Sequence, residues 1–167
     1  MCGRAVGLVF CACLLFSARA QNQNPSPTVI SGADHPELIP DNHAFMMLML
    51  VLADGPNAMP LDARRYLFKD TELADSEVEN VLQAANAFRS NYDAVNSSIR
   101  QVQAQNKGKP MTAAVKGQLD KLIAQGWSGV ASARQTLEAT LGSASTGKLW
   151  QLINTVIRPS MDLVSGN

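Results

Sequence analysis

Val78, Val81, Ala85, Phe88, Tyr92, Val95, Ile99 and Val102 follow one another at alternating steps of three and four without a miss. That spacing averages 3.5 residues, the period of a helix face lying lengthwise on another helix. No strand or irregular loop sustains it over about 25 residues. The chain around it must therefore fold as paired helices. Asp75 or Ser76 starts this first long helix, with Ser76 and Glu79 at capping-box spacing and acids in the first turn. Asn106-Lys107-Gly108-Lys109-Pro110 ends it with turn chemistry.

A second seam follows from about Met111 to Leu141: Val115, Leu119, Leu122, Gly126, Gly129, Ala133, Leu137 and Leu141. Folding the chain at Gly108 sets the two helices antiparallel, with Phe88 opposite Gly129 and Tyr92 opposite Gly126 or its neighbours. Large rings against glycines is a packing in which facing residues interdigitate. It also compensates the roughly 1 kcal/mol that each glycine costs a helix.

Before this pair, Asp41 or Asn42 caps a helix over His43–Ala53, whose run from Ala44 to Ala53 is apolar on every face and so belongs inside. A short helix follows Pro60. After the break at Gly142–Gly147, a last helix is expected over Lys148–Leu163. No segment alternates as a strand does. The fold class is all-α, a bundle of four to five helices around a long antiparallel helical hairpin.

Residues 1–20 read as a secretory signal peptide: Arg4, an apolar run over Ala5–Phe16, and Ala18-Arg19-Ala20 with small residues before Gln21. The run is shorter than the roughly 20 residues of a spanning helix, so no transmembrane span is expected once it is removed. Residues 21–33 form a flexible polar leader and residues 34–167 a single α-helical domain. All three cysteines, Cys2, Cys11 and Cys13, leave with the signal. A mature chain without thiols has no disulfide and no thiolate metal site. The expected location is secreted or periplasmic.

Charge is uneven along the remainder. Residues 21–80 hold ten acidic and three basic side chains, and residues 81–167 hold four acidic and nine basic. In the hairpin, Arg100, Lys107, Lys109, Lys116 and Lys121 gather at one tip, a candidate contact for an anionic protein or cell-envelope partner. Asp75, Glu77, Glu79 and Glu138 sit at the other end. Net charge, compartment and the lack of aromatics among the bases argue against nucleic acid.

The sharpest chemical constellation is His43, Met46 and Met47 at i, i+3 and i+4 on one helix face, a thioether and imidazole set suited to Cu(I). Adaptable methionine packing accounts for the same residues. Catalytic patterns are incomplete. Gly142-Ser143-Ala144-Ser145-Thr146-Gly147-Lys148 follows a phosphate-loop spacing, yet Leu149 stands where Ser or Thr would hold magnesium. Gly126-Trp127-Ser128-Gly129 is similar to a nucleophile elbow but ends in Val130 rather than glycine. Only His35 and His43 supply imidazole.

The expected role is that of an exported non-enzymatic protein, monomeric or homodimeric, without a cofactor, acting as an interaction, adaptor or chaperone-like component of the cell envelope. Soft-metal binding is the alternative, and a hydrolase the third reading. Leu73-Ala74-Asp75-Ser76-Glu77 keeps only the leucine of a Leu-Thr-x-x-Gln motif. In its small, exported, all-helical form the chain resembles the periplasmic stress chaperones of the Spy/CpxP type that carry that motif, but no family is assigned and no residue role is carried over.

Overall fold

The structure, a computed structural model, describes residues 28–165. The signal segment and the first part of the polar leader lie outside the described residues. The described chain is mostly helical, and none of its helices is long and apolar enough to cross a membrane.

Four α-helices carry the fold: α1 (Asp41–Leu52), α2 (Leu61–Tyr66), α3 (Asp75–Gln105) and α4 (Ala113–Leu152). α3 begins where the sequence suggests, but with a different cap. The N-cap is Ala74, whose backbone N–H donates to Glu77 Oε2 at 2.8 Å. Glu79, the expected capping acid, instead accepts from Arg65 at 3.0 Å. Thr112 caps α4 through its hydroxyl, which accepts from the Val115 N–H at 3.3 Å. Gly108, at φ +76° in the turn between them, adopts the left-handed conformation that glycine permits without strain.

α4 is interrupted at Gly142, whose φ of 74° and ψ of 171° reverse the chain. Residues 143–152 then fold back, so that Trp150 Nε1 donates to Glu138 Oε1 at 2.9 Å. The expected break is therefore one residue long rather than six, and helical structure resumes before Lys148. A π-helical turn (Ile153–Ile157) and a 3₁₀ turn (Arg158–Ser160) end it, in keeping with Pro159, which cannot continue a regular helix.

Two short strands depart from the all-helical expectation. β1 (Thr28–Ser31) and β2 (Asp162–Ser165) pair antiparallel, with Val29 opposite Val164 and Ile30 opposite Leu163. Part of the segment read as leader, and the tail of the segment read as last helix, thus form a sheet that joins the two ends of the described chain. Four residues are too few to show alternation, and their partners lie at the far end of the sequence. The closure is tight at Gly32, whose N–H donates to Met161 O at 2.7 Å. A Cβ there would collide with the Arg158 carbonyl and lie 2.6 Å from Met161 O.

The main core is built on α1. Ala44, Phe45, Leu48, Met49 and Leu52 are all but inaccessible and pack among Val81, Ala85, Phe88, Val130, Leu137, Leu149 and Ile153. A helix apolar all round is buried, as its sequence implies. A second, smaller cluster of Ile99, Val102 and Leu119 closes the far end of the α3–α4 pair.

The facing of the pair differs from the seam arithmetic. An added Cβ on Gly126 would meet Val95 Cγ1 at 3.6 Å, but one on Gly129 would meet nothing within 4 Å. No ring covers Gly129. Trp127 and Val130, one position round the helix from the glycines, turn inward instead, because burying a large apolar side chain is worth roughly 1.5–3 kcal/mol and a glycine has none to bury.

Candidate functional site

α1 covers one side of the α3–α4 pair and packs on both. Away from it, a groove of about 910 Å³ runs between the two helices. Phe88, Tyr92, Leu122 and Leu137 contribute apolar surface to its lining, along with small or amide side chains such as Ala87, Asn91, Gln125, Ser128 and Ser132. None of the twenty residues lining it is Asp, Glu, Lys, Arg or His. The α3 charges that the structure pairs, such as Arg89 with Asp93 at 2.8 Å, are not among them. A charge-free face over residues 80–98 and 122–140, on a chain with 28 charged side chains in all, is the most distinctive surface of the molecule.

Local sequence explains its shape. Ala84, Ala87, Ala94 and Ser98 on α3, and Gly126, Ser128, Gly129, Ser132 and Ala133 on α4, are small, and they leave the space between the two backbones unfilled. Asn91 stands on α3, and Gly126 and Gly129 on α4, near the middle of the groove. Sequence reasoning placed the glycines in the seam and so missed that this face is open.

The basic tip sits where the helices turn. Lys109 Nζ donates to the Gln105 carbonyl at 2.8 Å, and Lys116 pairs with Asp120 at 2.6 Å. Among the described residues, Arg100, Lys107 and Lys121 have no carboxylate within 4 Å. At the opposite end, Glu77 is turned inward. Its carboxylate accepts from the buried Ser145 hydroxyl at 2.5 Å and from the Ala74 N–H, and these bonds hold its pKa below the ordinary value. Glu138 is engaged by Trp150 and Arg134. Glu72 and Asp75 stay exposed at that end.

The residues of the phosphate-loop-like stretch are used within the fold. Gly142 turns the chain, Ser145 reaches Glu77, and Lys148 Nζ donates to the Glu72 carbonyl at 2.7 Å. Ser128 lies in mid-helix on the exposed face of α4, not at a strand-to-helix elbow.

His43 and the two methionines separate in their surroundings. The His43 ring lies against Trp127, tilted by 45° with centroids 4.4 Å apart, and burial pushes its pKa below the usual histidine value. Its Nδ1 is enclosed without a hydrogen-bond partner among the described residues. Met46 is buried and lines, with Trp127, Tyr92 and Val130, a small apolar cavity of about 30 Å³. Met47 is half-buried against the main core. His35 lies far along the surface, 3.2 Å from Glu37.

Two arginines unmarked by any motif organise the ends of α1. Arg64, 6% exposed, donates to the Leu52 carbonyl at 2.7 Å and to Asp54 at 2.5 Å, which Asn86 also grips. Arg158 donates to the Ile39 carbonyl at 2.6 Å and to Asp41. Arg134 and Arg158 both stand 6.0 Å from the Trp150 ring centre. Such partners are backbone oxygens and residues remote in sequence, so spacing gives no sign of them.

Comparison of the chain with family models, with curated proteins and with solved structures found no match.

Proposed function

We propose that this is an exported, non-enzymatic interaction protein of the cell envelope, secreted or periplasmic after loss of residues 1–20, and that its binding surface is the uncharged groove between α3 and α4. Counting the two arms of α4 separately, the scaffold is a five-helix bundle on an α3–α4 hairpin. The observation that carries the reading is the groove itself, which is open, long and free of charge, while Arg89, Asp93, Arg134 and Glu138, the charged residues of the same stretches, lie outside it. Phe88, Tyr92, Leu122 and Leu137 in its lining supply the aromatic and aliphatic surface that contact with a polypeptide uses, and the amide and hydroxyl groups beside them can hydrogen-bond to a backbone. The settings of the two histidines agree with a non-catalytic role, since one is paired with Glu37 at the surface and the other lies on Trp127.

Co-purification from the exporting cell tests this. Whatever accompanies the wild-type chain should be lost with Gly129→Arg, which places a cation in the groove at a position with no neighbour to disturb. It should be kept with Arg100→Ala, at the basic tip.

A second reading, Cu(I) held by His43, Met46 and Met47, is favoured by the unpartnered Nδ1 of His43. Cu(I) titration decides it: equal uptake by the wild type and by Met46→Leu/Met47→Leu removes the site.

A further inference from the structure

We infer that the partner of the groove is a second copy of this chain, and that two molecules associate face to face and antiparallel about a two-fold axis near Asn91 and Gly129, α4 against α4 and α3 against α3; the inference rests on the groove being the interaction surface.

Three observations converge on self-association. First, both edges of the groove are uncharged, so two copies meet without bringing like charges together or stripping any ion of water. A two-fold contact is made by the same patch on both partners, and only a neutral or internally balanced patch suits that condition.

Second, the outer face of α4 permits close approach. Gly126, Ser128, Gly129 and Ser132 give α4 a low outer profile, and Gly129 faces empty space. Within one molecule, nothing offsets what Gly129 costs a helix. The partner's α4 seated close against it does so, because the side chains at the contact set how near two packed helices come.

Third, the ends are complementary. The unpaired bases Lys107 and Lys121 lie toward one end of the pair and the exposed acids Glu72 and Asp75 toward the other. Antiparallel association about the groove centre, near level 89 of α3, carries Lys107 of each copy to the level of Glu72 in the other. Parallel association would set base against base.

The uncharged face, residues 80–98 and 122–140, runs for about 27 Å at 1.5 Å per residue, and the charged ends lie just beyond it on either side.

Sedimentation velocity on the full chain, expressed with its own N-terminal segment, tests this over 1–100 µM. The expected result is a reversible monomer–dimer equilibrium that weakens as salt is raised from 0.05 to 0.5 M. Gly129→Arg is expected to weaken it at least tenfold while unfolding at the same or higher temperature. Arg100→Ala, on the far side of α3, is expected to leave the salt-independent part unchanged. A wild type that remains monomeric at 100 µM, or a dimer indifferent to Gly129→Arg, overturns the inference. If the wild type is monomeric while Gly129→Arg still abolishes a co-purifying partner, self-association alone has failed and the groove remains the binding surface. If both assays ignore Gly129→Arg, the groove itself is the wrong surface.

Discussion

Replacing Gly129 by alanine should stabilise the folded chain. The position is helical and exposed, and a Cβ there meets no atom within 4 Å. The only change is then the loss of a glycine's conformational freedom in the unfolded chain and its low helix propensity, together about 0.8–1.0 kcal/mol. For a domain of this size that corresponds to a rise of about 3 °C in the unfolding temperature. Urea unfolding followed by far-ultraviolet circular dichroism reads the same quantity as a shift in midpoint at constant slope. The protein is held below 1 µM, so that an association through the same face does not contribute. Gly126→Ala should behave alike, because its Cβ would touch Val95 Cγ1 at an ordinary 3.6 Å. Gly32→Ala should do the reverse and cost more than about 2 kcal/mol, since its Cβ has the Arg158 and Met161 carbonyls in its way. A loss of 1 kcal/mol or more at Gly129→Ala would mean that a ring lies over that position, and the facing of α3 and α4 described above would be wrong.

Three further outcomes follow from the polar contacts. Arg64→Met should destabilise by about 2–3 kcal/mol in the same urea assay, because the Leu52 carbonyl loses its buried donor and Asp54 loses its cation; a change under 0.5 kcal/mol would contradict a capping role. Trp150→Phe should cost about 1 kcal/mol, keeping the packing but losing the bond to Glu138, and Glu138→Gln should recover part of it in a double-mutant cycle. Stability should fall as pH is lowered from 7 toward 4. His43 has its folded pKa pushed below 6.5, so the unfolded chain takes up its proton first and stability drops as pH passes below that value. Asp54 and Glu77, held low chiefly by Arg64 and by Ser145, extend the loss into the acid range. In thermal melts His43→Phe should flatten the part between pH 7 and 5.5 and leave the acid limb; a wild-type profile flat to pH 5 would contradict the buried setting of His43.

The long helices are legible in the sequence because their burial is periodic. On α3, Val78, Val81, Ala85, Phe88, Ile99 and Val102 are all buried where the 3.5 spacing puts them. On α4 the same arithmetic is misled, since Gly126 and Gly129 fit the spacing but offer no area, and Trp127 and Val130 take the inward face. Period specifies a stripe only to within about one residue, and side-chain bulk decides the rest. The two strands are invisible because their stability comes from pairing the two ends of the described chain. The groove is invisible for a related reason. A seam tells which face of a helix is buried, but small residues on the remaining face look like ordinary surface until the packing of α1 shows which side of the pair is left uncovered.

The claim that this uncovered face is where the protein acts is tested most directly by a photo-crosslinking scan in the exporting cell. Benzoylphenylalanine is placed at Asn91, Gln125 and Ser132 in the groove, and at Arg100 and Asp120 on charged positions outside it. The account predicts discrete crosslinked products from the groove positions, of twice the chain mass where the partner is a second copy, and none from the outer ones. Equal labelling from both sets, or products from Arg100 and Asp120 alone, would contradict it.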